Sequence, residues 1–156
     1  MEQTLILIKP DAVQRRLVGQ IVNRFERKGL RVAAMKLVQV TEETAKDLYS
    51  VHEGRDFYEP LVEFITTSPV VAMVLVGQGV IGMARSLMGA TFGPDADPGT
   101  IRGDFGASKR YNLVHGSDSP ESADREIPIF FGADDIIDYE PAGDRWVYAR
   151  SGDQII

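Results

Sequence analysis

The sequence predicts an α/β sandwich in which a four-stranded antiparallel sheet is covered by helices. Apolar or alternating runs at Gln3–Ile8, Arg31–Val40 and Val70–Val76 are typical of strands, and a short fourth strand is expected at Tyr111–His115. Segments with helical apolar spacing separate these runs. Reduced to its core, the order is βαββαβ, the split pattern of the ferredoxin-like class, in which helices cover one face of the sheet.

One continuous helix is predicted directly after the first strand, because apolar residues recur there at i, i+4 spacing. These residues are Val13, Leu17, Ile21 and Phe25. Lys28 and Gly29 are expected to end the helix, because a cation suits the last turn and a glycine suits the left-handed cap.

Two short helices are predicted between the second and third strands. Thr41, followed by two glutamates, favours an N-cap for a helix that runs to about Ser50. The second helix, at Tyr58–Thr67, tolerates Pro60 because this proline lies in the first turn. The strand Val70–Val76 is apolar throughout, so we expect it to be central and covered on both faces.

The second half of the chain combines a helix, a long loop and a capped helix. Val80–Met88 is predicted as a crossover helix, whereas Gly89–Gly106 has no periodicity and is interpreted as a functional loop. Ser119 and Pro120 have the preferred N-cap and first-position chemistry of a helix start. Pro128 is expected to end or kink that helix.

Length and composition limit the class of protein. A chain of 156 residues predicts one domain, over residues 1–156. The absence of cysteine excludes disulfides, thiolate nucleophiles and Cys-ligated zinc. No apolar run approaches the ~20 residues that span a bilayer, and the N-terminal apolar stretch is too brief for a signal peptide. We therefore expect a cytoplasmic protein without membrane contact.

The charge balance is acidic, with 17 Lys+Arg against 23 Asp+Glu and a formal net charge of −6. This balance argues against strong nucleic-acid binding, whose affinity comes from basic surface. Any bound anion must therefore be held by a local cluster of positively charged groups. Lys9, Arg85, Arg102 and Thr91 are the candidates; each alone is best interpreted as a solvated group, but together they would suit a polyphosphate.

Familiar nucleotide-binding and metal-binding motifs are absent. Neither the P-loop pattern nor the dinucleotide glycine pattern occurs in the chain. No His, Asp and Glu residues have the spacing of metal ligands, so Mg²⁺ would arrive mainly on the phosphates of a substrate.

The chain has two histidines, and one of them has the surroundings of a nucleophile. A nucleophilic imidazole must be neutral, with one ring nitrogen held by an acceptor and the other bare. His115 precedes the capped helix, and Glu126 on that helix leans back toward the turn at Gly116. The alternative is that Glu126 is an exposed helix acid. His52, on a polar loop, is interpreted as a surface histidine.

The segment Asn112–Ser119 (NLVHGSDS) resembles the active-site signature of nucleoside diphosphate kinases. The resemblance extends from Thr4 to about Tyr148. It includes Ile8–Asp11 (IKPD), Gly99–Asp104 (GTIRGD) and Glu121–Ile127 (ESADREI).

The resemblance implies a ferredoxin-like fold and a ping-pong transfer of the γ-phosphoryl group between nucleotides. His115 would be the nucleophile, attacking through Nδ1 to become phosphohistidine. Glu126 with Ser117 would orient the imidazole, and Tyr49 would lie close to the reacting phosphate. Mg²⁺ would accompany the nucleotide.

The resemblance also implies a nucleotide site with broad base tolerance. Lys9 and Asn112 match the groups that contact the sugar hydroxyls, and Phe57 matches the aromatic ring on which the base stacks. The phosphate ligands implied are Lys9, Arg85, Thr91 and Arg102.

The chain departs from the family pattern in four places, and none of these departures removes a residue assigned to the chemistry. Ala12 replaces a glycine beside Lys9, and Phe92–Pro94 replaces the common Asn-Pro-Ala. Lys109 stands where many members place an apolar residue, and Pro128 lies close to Glu126.

Two other functions and several assemblies remain open from the sequence. A catalytically silent nucleotide-binding regulatory module would use the same scaffold, and a phosphohistidine phosphatase or mutase would share the nucleophile. The resemblance implies a homo-oligomer, with a hexamer favoured over a tetramer or dimer. The tail Asp138–Ile156 is either a mobile terminus or an intersubunit strap.

Overall fold

The computed structural model describes residues 1–156 and contains a four-stranded antiparallel sheet in the order β2-β3-β1-β4. The strands are β1 (Glu2–Ile8), β2 (Arg31–Val38), β3 (Val70–Gly77) and β4 (Val114–Gly116). This order, with helices between the strands, confirms the ferredoxin-like α/β sandwich that the sequence predicts.

The core lies around the two central strands, β1 and β3. Every residue of β3 is buried, and so are Thr4–Ile8 of β1. Because successive side chains of a strand point to opposite faces, both faces of the central strands are covered. The uninterrupted apolar run of the third strand therefore has the central position expected of it.

The prediction of one continuous helix after β1 is wrong. The structure contains α1 (Pro10–Gln14) and α2 (Val18–Arg27), separated where Arg16 has a left-handed φ of 59°. A right-handed helix cannot continue through that conformation. The predicted end is confirmed: Gly29 has φ 88°, and the amides of Gly29 and Leu30 donate to carbonyls of the last turn.

The next three helices agree with the sequence. They are α3 (Glu42–Leu48), α4 (Tyr58–Thr66) and α5 (Val80–Met88). The hydroxyl of Thr41 accepts a hydrogen bond from the amide of Thr44, so the predicted N-cap is present.

The long loop after α5 is more regular than the sequence indicates. It contains a 3₁₀ turn at Gly93–Asp95 and the short helix α6 (Ile101–Phe105). The hydroxyl of Thr100 caps α6 by accepting from the amide of Gly103 at 3.0 Å. Helices this short carry too few residues to produce a detectable apolar period.

The helix α7 (Pro120–Phe130) begins as predicted but does not end at its internal proline. The hydroxyl of Ser119 accepts from the amide of Ser122, and α7 continues two residues beyond Pro128. Pro128 lies in the last turn, where the missing amide removes only one helical hydrogen bond.

The tail after α7 packs in part against the same chain. The Tyr139 hydroxyl donates to the carbonyl of Val32 at 3.0 Å, and a hairpin joins β5 (Arg150–Ser151) to β6 (Gln154–Ile155). Trp146 is 82% exposed. None of the helices is both long enough and apolar enough to span a bilayer.

The backbone of the loop leaves no room for a side chain at Gly103. A Cβ atom there would lie 1.9 Å from the carbonyl oxygen of Asp97. We expect Gly103→Ala to lower the free energy of unfolding by about 2 kcal/mol, because backbone must move. The control is Gly82→Ala in α5, where a Cβ meets nothing within 4 Å and helix propensity adds up to about 1 kcal/mol. Equal urea midpoints for the two variants would contradict the close packing of the loop.

Candidate active site

The candidate site forms where β1 ends beside the start of β4. The two strands are antiparallel and pair Leu7 with His115, so the residue after β1, Lys9, lies beside the residues that precede β4. The amide of Lys9 donates to the carbonyl of Leu113 at 2.8 Å and extends the ladder by one bond. Residues about a hundred positions apart are therefore brought to one edge of the sheet.

His115 is held by one ring nitrogen only. Its Nε2 lies 3.0 Å from Oε2 of Glu126, which also accepts from the Ser117 hydroxyl at 2.8 Å. An ionised carboxylate only accepts hydrogen bonds, so Nε2 carries the proton and Nδ1 keeps its lone pair. Glu126 is 5% exposed, so the alternative of an exposed helix acid is wrong.

Glu126 is held ionised by its neighbours. Burial by itself raises the pKa of this carboxyl group, but hydrogen bonds from His115 and Ser117 and the charge of Arg125 outweigh it and lower the pKa. The Arg125 guanidinium lies 3.1 Å from Oε1 of Glu126, so both carboxylate oxygens have partners.

Lys9 and Asn112 form a buried chain that reaches the loop. The Lys9 Nζ donates to Oδ1 of Asn112 at 2.8 Å, and Nδ2 of Asn112 donates to the Thr91 carbonyl at 3.0 Å. This chain uses one of the three protons on the lysine. Thr91 itself is exposed, and its hydroxyl forms no hydrogen bond within the protein.

Arg102 is buried and bound to three backbone carbonyls. Its guanidinium donates to the oxygens of Asn112, Gly89 and Val114 at 3.1, 2.9 and 2.8 Å. A guanidinium has five N–H donors, so two remain for a ligand. Arg102 therefore ties α6 and the loop to the start of β4 and still presents donors to the site.

Each of the two buried cations is perturbed by burial and by a neighbouring positive charge. Burial, and then the charge of Arg102, lower the pKa of Lys9 to about 8, against an opposing effect of Asp11. Burial, and then the charge of Arg85, lower the pKa of Arg102 to about 10. Neither Lys9 nor Arg102 forms an ion pair. An anion at this position would relieve the repulsion, as a phosphate site requires.

Arg85 lies at the rim of the site, in the last turn of α5. It is exposed, and its charge contributes to the lowered pKa of both Arg102 and Asp118. An open, mostly polar hollow is lined there by Arg85, Ser86, Gly89, Ala90, Asp97 and Thr100.

Three aromatic rings extend from His115 to the surface. The Tyr49 and His115 rings meet edge to face, with centroids 6.1 Å apart. His52 lies between Tyr49 and Phe57, at 6.4 and 5.2 Å from their centroids. Burial and the charge of Glu126 raise the pKa of Tyr49, whose hydroxyl is buried without a partner. Phe57 is 53% exposed, so much of its side chain is open to solvent.

Sequence reasoning missed two residues of this site, His52 and Arg125. Nothing in the sequence near His52 indicates its ring contacts, because they depend on the fold of the turn after α3. Arg125 also reaches the carbonyls of Asp47 and Leu48 at 3.4 and 3.3 Å, more than seventy residues away. Contacts at such separation leave no local signal.

The departures from the family pattern leave this geometry in place. Ala12 is fully buried, and Pro128 does not prevent Glu126 from reaching His115. The Lys109 ammonium lies 5.9 Å above the Phe92 ring. No group of three or more His, Cys, Asp or Glu side chains is placed to hold a metal ion.

The Lys9 ammonium is expected to titrate at about pH 8 in the free protein, because burial and Arg102 disfavour its charge. NMR of the lysine side chains measures this value. Lys46 is the control, because its pKa is raised by the hydrogen bond from Lys46 to Glu42 and by the Glu42 charge. Titration of both lysines at the same pH would contradict the buried-cation description of the site.

The chain is similar to known proteins of one family over most of its length. The family described as nucleoside diphosphate kinase matches residues 2–136. A nucleoside diphosphate kinase of Halalkalibacterium halodurans is 54% identical over 147 residues, covering 94% of this chain and 100% of the relative. One from Pelotomaculum thermopropionicum is 51% identical over 148 residues, covering 95% and 99% of the two chains.

A solved structure has the same fold. It is a halophilic nucleoside diphosphate kinase from Halobacterium salinarum in complex with CDP, with a TM-score of 0.92 and 46% identity. The alignment covers 94% of this chain and 98% of that chain. Family match, relatives and structure together show that the chain belongs to the nucleoside diphosphate kinase family of phosphotransferases.

Proposed function

We propose that this chain transfers the γ-phosphoryl group of a nucleoside triphosphate to a nucleoside diphosphate through phosphohistidine at His115. One observation carries the proposal: the imidazole is held at Nε2 and bare at Nδ1, beside two buried cations that have no ion-pair partner. This combination suits attack on a phosphate that arrives as the missing anion.

In the first half-reaction, the lone pair on Nδ1 forms a bond to the γ-phosphorus. The bond to the bridging oxygen breaks, and its electron pair stays on the leaving nucleoside diphosphate. Glu126 accepts a hydrogen bond from the Nε2–H group, which keeps its proton. The carboxylate stabilises the positive charge that develops on the ring. A second nucleoside diphosphate reverses these steps and carries the phosphoryl group away.

The cations hold the phosphates while the charge moves. Lys9 and Arg102 supply free N–H donors from buried positions, where such donors need little reorganisation. Arg85 and the Thr91 hydroxyl contact the more exposed phosphates. Phosphoryl transfer depends mainly on this positioning and charge stabilisation. The buried Tyr49 hydroxyl lies beside the reacting phosphate.

The nucleoside occupies the open side of the site. The exposed ring of Phe57 stacks on the base, and Lys9 and Asn112 bind the sugar hydroxyls. Stacking does not distinguish the hydrogen-bonding edges of different bases, so broad base tolerance follows. The function is therefore to balance the nucleoside and deoxynucleoside triphosphate pools.

Mg²⁺ arrives with the nucleotide as part of the substrate. The chain offers no cluster of side chains that would hold the ion by itself. Bound to the nucleotide, Mg²⁺ would reduce the negative charge around the transferred group.

A catalytically silent regulatory module on the same scaffold is the second candidate. Such a protein needs no bare imidazole nitrogen, whereas here Glu126 and Ser117 fix the ring in one orientation. A phosphatase or mutase would share the nucleophile but would not need a stacking ring for a base.

We further propose a homo-oligomer of single-domain subunits, each spanning residues 1–156, with a hexamer favoured over a tetramer or dimer. The edge strand β2 exposes Met35 and Leu37, at 45% and 66%, beside an apolar hollow that includes Ile137 and Tyr139. Exposed apolar side chains on an edge strand favour association. The tail 138–156 contributes to these contacts, and the cytoplasm is the compartment that suits the substrates.

Incubation with γ-labelled ATP and Mg²⁺ should label the wild-type protein and leave His115→Ala unlabelled. The label should be alkali-stable and acid-labile, as phosphohistidine is, and a chase with GDP or CDP should remove it into the triphosphate. Absence of label from both proteins would favour the silent module. Label lost to water in the presence of the diphosphate would favour a phosphatase.

Glu126→Gln should slow phosphoenzyme formation by about tenfold or more, because a neutral amide stabilises the charged ring less than a carboxylate does. Glu121→Gln is the matched control, since Glu121 is an exposed acid in the first turn of the same helix. Single-turnover labelling measures both rates. Equal rates would show that the carboxylate does not assist His115.

A further inference from the structure

The segment before His115 contains a strained turn that the proposed function does not explain. Leu113 has a φ of 70°, although it is neither glycine nor exposed. The amide of Val114 donates to the carbonyl of Asn112 at 2.8 Å, which makes this a γ-turn centred on Leu113. A γ-turn with positive φ is rare and costs about 1 kcal/mol or more, so neighbouring contacts must hold it.

Two contacts from the start of the chain hold the turn. Oδ2 of Asp11 accepts from the amide of Leu113 at 3.0 Å, and the amide of Lys9 donates to the carbonyl of Leu113 at 2.8 Å. The second bond uses backbone only and is available to any residue except proline. The first depends on the carboxylate of Asp11.

The turn directs its backbone oxygens and side chains into the site. The carbonyls on both sides of Leu113, those of Asn112 and Val114, accept from the Arg102 guanidinium at 3.1 and 2.8 Å. The Asn112 side chain accepts from Lys9, and His115 is the second residue after the turn. A relaxed backbone at Leu113 would turn these groups away from one another.

We propose that Asp11 is a positioning residue that holds the Leu113 turn through one oxygen and keeps Lys9 charged through its negative charge. The proposal rests on the proposed function, because the groups that it positions are the phosphate-binding groups. Asp11 itself touches no substrate: Oδ1 is buried without a partner, and Oδ2 is bound to Leu113.

The electrostatic part of this role rests on the placement of Asp11, which follows Lys9 by two residues and binds the same residue, Leu113, as the Lys9 amide does. Burial and the charge of Arg102 both lower its pKa, to about 8, and Asp11 is the acid that raises it. The side chain of Asn112 is neutral. Without the carboxylate, a larger fraction of the free enzyme would carry an uncharged Lys9 near neutral pH.

Two substitutions separate the two effects. Asp11→Asn keeps an oxygen that accepts from Leu113 but removes the charge, whereas Asp11→Ala removes both. Asp124→Asn is the matched control, because Asp124 is an exposed acid without a side-chain partner and its replacement changes the net charge equally. Circular dichroism checks the fold of each variant.

The first readout is the rate of phosphoenzyme formation from labelled ATP between about pH 6 and pH 10, at substrate below saturation, where free-enzyme groups determine the profile. For Asp11→Asn, the basic limb should move to lower pH while the plateau rate is largely kept. For Asp11→Ala, the plateau should also fall about tenfold below that of Asp11→Asn, the scale of a lost hydrogen bond to a charged group.

The second readout is NMR titration of Lys9, which requires no catalysis. The Lys9 titration should move to lower pH in Asp11→Asn and stay unchanged in Asp124→Asn. Unchanged titration and an unchanged rate profile in Asp11→Asn would overturn the electrostatic role. Equal plateau rates for Asp11→Ala and Asp11→Asn would overturn the turn-holding role. Failure of the proposed function would instead appear as unlabelled wild-type protein with the Lys9 shift intact.

Discussion

The burial of two like charges at one edge of the sheet is the constraint on which the rest of the site depends. Lys9 and Arg102 are 6% and 7% exposed in a chain whose net charge is −6, and each carries a depressed pKa. Their charges are costly there unless donors are satisfied and an anion is available. Backbone carbonyls and the Asn112 side chain accept hydrogen bonds from some of their N–H groups, and the remaining N–H groups are free for an anion.

The buried strand β1 and its pairing with β4 hold these charged residues in place. β1 is covered on both faces and ends at Lys9, and the short strand β4 is paired to it only through the residues around His115. The apolar core therefore positions polar groups that form little regular structure themselves. His115 lies in the ladder between β1 and β4, whose register cannot slip without exposing the core.

Local signals in the sequence predict the parts of the fold that depend on neighbours in the chain. The caps at Thr41 and Ser119 and the end of α2 at Gly29 form as predicted, because each needs only residues within one turn. The break at Arg16 and the helical turns inside Gly89–Gly106 are not predicted. Their conformations depend on contacts with distant segments, for example the Arg15 side chain with the Phe105 carbonyl.

The sequence by itself determined the order of the four strands and the motif around His115. It also indicated that Glu126 could reach His115, because these two residues lie on consecutive elements, but only the structure excluded an exposed helix acid. Only the tertiary structure decided that Asn112 joins Lys9 to the loop, that His52 stacks between Tyr49 and Phe57, and that Asp11 holds Leu113. The physical reason is sequence separation. Antiparallel pairing of β1 with β4 joins residues about a hundred positions apart, and no local pattern encodes a contact of that kind.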